Sequence, residues 1–126
     1  LTGLEIETLE DMQEAARIIH GMGARNVVVK GGHLPQAASA IDVLYDGDGM
    51  AIFEMPRVDT PNTHGTGCTY ASSIAAELAK GYPVQEAVQT AKLYLTTTIE
   101  AAVDLDIGGG HGPLNHFLNR QVDFRR

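Results

Sequence analysis

Asn26-Val-Val-Val-Lys-Gly-Gly-His33 decides the fold class. Three β-branched residues follow one another without alternation, the pattern of a strand buried on both faces, as in a parallel sheet. Lys30-Gly-Gly-His33 closes that strand and leaves a lysine at its C-terminal end, where open α/β sheets place their ligands. Taken alone, Lys30 serves equally well as a surface residue beside a Gly-Gly turn. Upstream, Thr8 opens a helix. Thr8-Leu-Glu-Asp11 is a loose capping box with Asp where Glu or Gln is usual. Glu7, Glu10 and Asp11 sit where the helix dipole favours acids. Leu9, Met12, Ala15, Ala16 and Ile19 recur at helical spacing, and Gly21-Met-Gly23 stops the helix. A helix leading into a strand of this kind predicts an α/β layer.

Downstream, residues 41–45 and 50–55 are two short strand-like runs. Asp46-Gly-Asp-Gly49 between them is a hairpin signal, and an antiparallel pair at the edge of a mostly parallel sheet is the expected arrangement. The acids of that turn are turn formers, not ligands. Further on stands Asp59-Thr-Pro-Asn-Thr-His-Gly-Thr-Gly-Cys-Thr-Tyr70, a polar loop running through two glycines and a cysteine into a small-residue helix. Glycine backbone directly before a helix makes an anion site, because the free N–H groups point outward and the dipole adds partial positive charge. A thiol at the same place has its thiolate favoured. The helix is expected over about 69–80, with Ala71, Ile74, Ala75 and Leu78 inward and Gly81 ending it. Pro83 starts a second helix to about residue 103, with Val84, Ala87, Val88, Ala91, Leu95 and Ile99 inward. Thr96-Thr-Thr98 lowers its helix propensity. Gly108-Gly-Gly-His-Gly-Pro113 is a loop, and the tail to Arg126 has no assignable pattern.

The composition limits the function classes. The chain has 126 residues, enough for one modest domain, with 44% hydrophobic residues and a net charge of −7. It has no Lys/Arg run, so nucleic acid is excluded as a partner, and no apolar run approaches a membrane span. The single cysteine leaves no internal disulfide framework and points to a reducing, cytoplasmic compartment. Leu1 in place of Met, with no signal-peptide pattern, carries the expectation that the chain begins inside a longer reading frame. No repeat or linker divides residues 1–126.

Several chemistries compete for the glycine loop. A P-loop needs G-x-x-x-x-G-K-[ST], which does not occur, and a dinucleotide fingerprint needs glycine at position 70, where Tyr70 stands. A zinc site would combine His64 and Cys68 with His33, His111 or His116, without a second cysteine to support it. Cys68 as a hydrolase nucleophile lacks an identifiable base. As a buried small apolar residue, the common fate of a free cysteine, it does not explain the two glycines and the helix start beside it.

The loop from Asp59 to Thr69 and its Ala/Ser helix resemble the C-terminal signature of hydroxymethylpyrimidine and hydroxymethylpyrimidine-phosphate kinases, thiamine-biosynthesis enzymes of the ribokinase-like superfamily. Leu1-Thr-Gly3, Glu10-Asp-Met12, Val27-Val-Val-Lys-Gly-Gly-His-Leu34, Gly110-His-Gly-Pro113 and Asn115-His-Phe117 resemble the same family in the same order. The resemblance implies that residues 1–126 form the C-terminal half of a three-layer α/β/α fold with a mostly parallel sheet. It implies an ATP-dependent phosphotransferase acting on a small pyrimidine with Mg²⁺. Gly65, Thr66 and Gly67 would hold the transferring phosphoryl group. Cys68 would deprotonate or orient the substrate hydroxymethyl group. Lys30, with Gly31 and Thr63, would serve ATP. Asp59 and Asn62 would shape the loop, and no residue of the chain is assigned to the metal. The pyrimidine-binding segment and an Asn-x-x-Glu motif tied to Mg²⁺ belong to the N-terminal half. The chain is therefore expected to pair with that half or to self-associate, and to be inactive alone. A pyridoxal or pyridoxine kinase of the same superfamily, or a truncated non-catalytic piece, are the alternatives.

Overall fold

The computed structural model describes residues 1–32 and 38–118, so His33, Leu34 and the end of the tail lie outside it. Helix α1 (Leu9–Gly21) leads into strand β1 (Val27–Lys30), followed by β2 (Ser39–Tyr45), β3 (Met50–Pro56), α2 (Thr66–Ala79) and α3 (Val84–Glu100). Thr8 caps α1 as its sequence predicts. The Asp11 N–H donates to the Thr8 hydroxyl at 3.1 Å, and the Thr8 N–H donates to the Asp11 carboxylate at 2.9 Å.

The three strands form one sheet in the order β1-β2-β3, and both pairings are antiparallel. The hairpin is as expected, with the Asp46 carboxylate accepting from the Asp48 and Gly49 N–H groups at 3.0 and 2.8 Å. The mostly parallel sheet is not what these strands make. Residues 31–38 are too few to carry the chain back across the sheet, since a parallel crossover needs about a dozen residues or more. Val27-Val-Val29 is still covered on both faces. Val29 packs with Met12 and Val43 under α1, while Val28 packs with Leu44, Val88 and Ala91 under α3. That two-sided burial produces the non-alternating run, and the run does not distinguish parallel from antiparallel neighbours.

Helix α1 thus lies on one face of the sheet and α3 on the other, with α2 packed against α3. Helix α3 turns Ala87, Val88 and Ala91 inward as expected. Its threonines do not break it, because the Thr96, Thr97 and Thr98 hydroxyls donate to the carbonyls of Lys92, Leu93 and Leu95. Helix α2 departs from expectation twice. It begins one turn early, at Thr66. Its buried side is set by Tyr70 with Ile74 behind it, while Ala71, Ala75 and Leu78 stand exposed. A tyrosine ring buries far more apolar area than an alanine, so Tyr70 fixes which way the helix rolls.

Candidate functional site

The chemistry of the loop 59–70 begins with its anchoring. Asn62 is buried, and its amide donates to the carbonyls of Ala102 and Leu105 at 2.6 and 2.8 Å, at the C-terminal end of α3. The His64 N–H donates to the Gly112 carbonyl at 3.1 Å, and His64 bridges Pro113 in parallel. A Cβ on Gly112 would fall on the Asn62 side chain, so this position accepts only glycine. The Gly110-His-Gly-Pro113 motif is therefore a buttress for the glycine loop. Asn115 extends it, its N–H donating to the Thr98 carbonyl at 3.2 Å.

The start of α2 is left open by design of its cap. Gly65 takes φ +88 as the N-cap residue, a conformation that favours glycine, and offers no side chain to the helix. An ordinary Ser or Asp cap would bond the N–H groups two and three residues on. Here Thr66 N–H donates to Thr63 O at 3.4 Å and Thr69 N–H to Gly65 O at 2.9 Å. Among the described residues, the Gly67 and Cys68 N–H groups have no partner. The first turn carries no acid to neutralise the dipole.

Lys30 reaches this place from β1. A Cβ built on Gly67 would stand 3.0 Å from the Lys30 Nζ, so the ammonium lies directly over the helix start and depends on the missing side chain. Lys30 itself is exposed at the mouth of a cavity of about 370 Å³, whose wall includes Thr63, Thr66, Asp42, Tyr70, Arg57 and Lys92. The chain is acidic overall, yet among the described residues this wall carries three cations and one carboxylate. A concave site of that charge favours an anionic ligand.

The floor of the cavity is a buried ionic cluster that sequence reading misses. Asp42 and Lys92 are 4% and 6% exposed. The Lys92 ammonium donates to one Asp42 oxygen at 2.7 Å, and the Gly31 N–H donates to the other at 3.1 Å. Tyr70, 2% exposed, turns its hydroxyl toward the cluster without reaching hydrogen-bond geometry. Burial, and then the charge and polarity of Asp42, push its phenol well above the ordinary tyrosine value. The signals were Asp42 inside an apolar strand and Lys92 four residues after Val88, on the inward stripe of α3.

The expected site residues thus divide. Lys30, Thr63 and Thr66 meet around the cavity, with Gly67 beneath the Lys30 amine. Gly31 is buried behind the strand end, where a Cβ would collide with the Ile41 carbonyl. Cys68 is exposed and opens onto a second groove with Thr69, Ser72, Tyr94 and His116. There the His116 ring stacks on Tyr94 with centroids 6.5 Å apart, and its Nε2 lies 3.5 Å from the Thr69 hydroxyl. Asp59 is exposed. Among the described residues no three His, Cys, Asp or Glu side chains gather as a metal-ligand set, and no helix is long and apolar enough to cross a membrane.

Residues 1–115 match the family model described as phosphomethylpyrimidine kinase. The chain is 52% identical over 118 residues to the thiamine biosynthesis bifunctional protein ThiED of Geobacter sulfurreducens, covering 94% of the chain and 24% of that protein. It is 41% identical over 117 residues to a hydroxymethylpyrimidine/phosphomethylpyrimidine kinase of Bacillus subtilis, covering 93% of the chain and 42% of the relative. In three dimensions it is similar to an ADP complex of Bacillus subtilis pyridoxal kinase, with TM-score 0.85 and 42% identity over 93% of this chain and 45% of that one. The chain spans less than half the length of each.

Proposed function

The chain belongs to the phosphomethylpyrimidine kinase family, and from that premise we propose that it is the ATP- and phosphate-handling part of a kinase for hydroxymethylpyrimidine and its monophosphate. The observation that carries the proposal is the Lys30 ammonium standing beside Gly67 at a helix start whose Gly67 and Cys68 N–H groups have no partner among the described residues. Phosphoryl transfer demands little covalent work from a protein and depends on positioning and charge stabilisation. ATP supplies the phosphoryl group and Mg²⁺ neutralises phosphate charge. Magnesium is usually held by one or two carboxylates together with the phosphates themselves. The family resemblance assigns its protein ligands to the N-terminal half.

The geometry supports the following roles. Lys30 and Thr63, at the mouth of the cavity, bind the nucleotide phosphates, and Gly31 holds the strand end behind Lys30. Gly65, Thr66 and Gly67 form the cradle in which N–H groups meet the negative charge that grows on the transferring group. Cys68, at the next position, orients the substrate hydroxymethyl oxygen for in-line attack or takes its proton. The hydroxyl oxygen forms the new bond to phosphorus while the bond to the bridging oxygen breaks and ADP leaves. In the whole enzyme these residues complete a three-layer α/β/α kinase of ribokinase-like form, in which the N-terminal half extends the sheet with parallel strands. The outer edge of β1, unpaired among the described residues, supports an added strand there.

The test is ATP-dependent phosphorylation of hydroxymethylpyrimidine, with Mg²⁺, by the full-length protein and by residues 1–126 alone. Turnover by the full-length protein, absent in the isolated chain, is the expected result. No turnover of either pyrimidine by the full-length protein overturns the assignment. A second reading, a pyridoxal kinase, is favoured by the structural likeness to the Bacillus subtilis enzyme. Phosphorylation of pyridoxal in preference to the pyrimidine decides for it.

A further inference from the structure

The Lys30 amine must sit within a fraction of an ångström of its place to share a phosphate with the N–H groups of α2, yet it ends a flexible four-carbon stem. What fixes the base of that stem is Asp42. On the sheet, Asp42 is the direct partner of Lys30 across β1 and β2. Its carboxylate accepts the N–H of Gly31, the first residue after β1, at 3.1 Å. Its second oxygen is held by Lys92 of α3 at 2.7 Å. One buried carboxylate therefore joins the end of β1 to α3, and the segment just after α3 anchors the glycine loop through Asn62.

We infer that Asp42 is a positioning residue: through Gly31 it sets where Lys30 stands over the Gly67 cradle. Asp42 does not touch the phosphate. Lys92 is occupied by Asp42 and supplies the counter-charge that lets a carboxylate stay on the cavity floor. The inference rests on the nucleotide reading above, because it concerns the phosphate contact of Lys30.

A purely structural ion pair and a positioning tie make different predictions for two double variants of the full-length protein. Asp42→Asn with Lys92→Met removes the ion pair but keeps a carbonyl oxygen to accept the Gly31 N–H. Asp42→Leu with Lys92→Met removes both, and apolar replacement of a buried pair is usually close to neutral for folding. The readout is the affinity ratio of ADP to adenosine by calorimetry, which isolates the phosphate contact, alongside Tm. The Leu/Met variant is expected to lose roughly tenfold of that ratio, the size of a charge-assisted hydrogen bond. The Asn/Met variant should retain it, and Lys30→Ala should lose as much as the Leu/Met variant. A ratio that falls equally in both double variants, or in neither while Lys30→Ala lowers it, overturns the positioning role. A ratio unmoved by Lys30→Ala, or an unmodified protein that binds adenosine and ADP alike, overturns the nucleotide reading and the inference with it.

Discussion

Lys92→Met isolates the energetics of the cavity floor. It leaves the Asp42 carboxylate 4% exposed with one remaining donor, the Gly31 N–H. Tyr70 could swing its hydroxyl toward the carboxylate, but one neutral donor does not replace an ammonium at 2.7 Å. Both side chains of the pair are buried, 7% and 6% exposed, so water screens little of the attraction. Removing one partner of such a pair costs about 3–5 kcal/mol, because a charge stays buried and uncompensated. For a domain of this size 1 kcal/mol corresponds to roughly 3–6 °C, so Tm should fall by about 10–25 °C. The companion Asp42→Leu/Lys92→Met variant should recover most of that loss. Urea unfolding of the four corners of the cycle gives the coupling energy, expected above about 2 kcal/mol. Additive single losses, or a Lys92→Met cost under about 1 kcal/mol, would refute the account of the cluster as a buried, mutually dependent pair.

Gly67→Ala sets stability against function: its backbone is helical, so alanine should add roughly 0.5–1 kcal/mol of stability, while the new methyl displaces the Lys30 amine and lowers kcat/KM tenfold or more. Unchanged turnover removes the cradle assignment. Cys68→Ala should reduce kcat far more than it weakens ATP binding, since its proposed contact belongs to the transition state, and equal activity in a steady-state assay returns Cys68 to a passive role. Thr8→Ala should cost about 1 kcal/mol through the lost cap of α1, read by thermal melting. The Asp11 carboxyl is held below its ordinary 3.8 by the Thr8 hydroxyl and then by the Glu7 and Thr8 N–H groups. Its contribution is therefore present above the unfolded value and lost as pH falls through the lowered folded one. The Tm gap between the unmodified chain and Asp11→Asn should close over that acid range, and a gap that widens there contradicts the capping geometry.

The local elements were legible in the chain alone, because local signals act over a few residues. Thr8 and Asp11 named the start of α1, Asp46-Gly-Asp-Gly49 named the hairpin, and Gly65-Thr-Gly67 named an open helix start. The last holds because a glycine cap without a side chain leaves the same N–H groups free wherever it occurs. The tertiary structure decided what periodicity cannot encode. The pairing direction of β1 depends on the length of the connection and not on the apolar run. The roll of α2 follows from Tyr70 outweighing Ala71, Ala75 and Leu78 for the buried side. Asp42 and Lys92 are 50 residues apart in the chain, and neither announces the other in any local pattern. Only when α3 packs against the sheet that contains β2 do the two charges find each other out of water, and with them the end of the strand that carries Lys30.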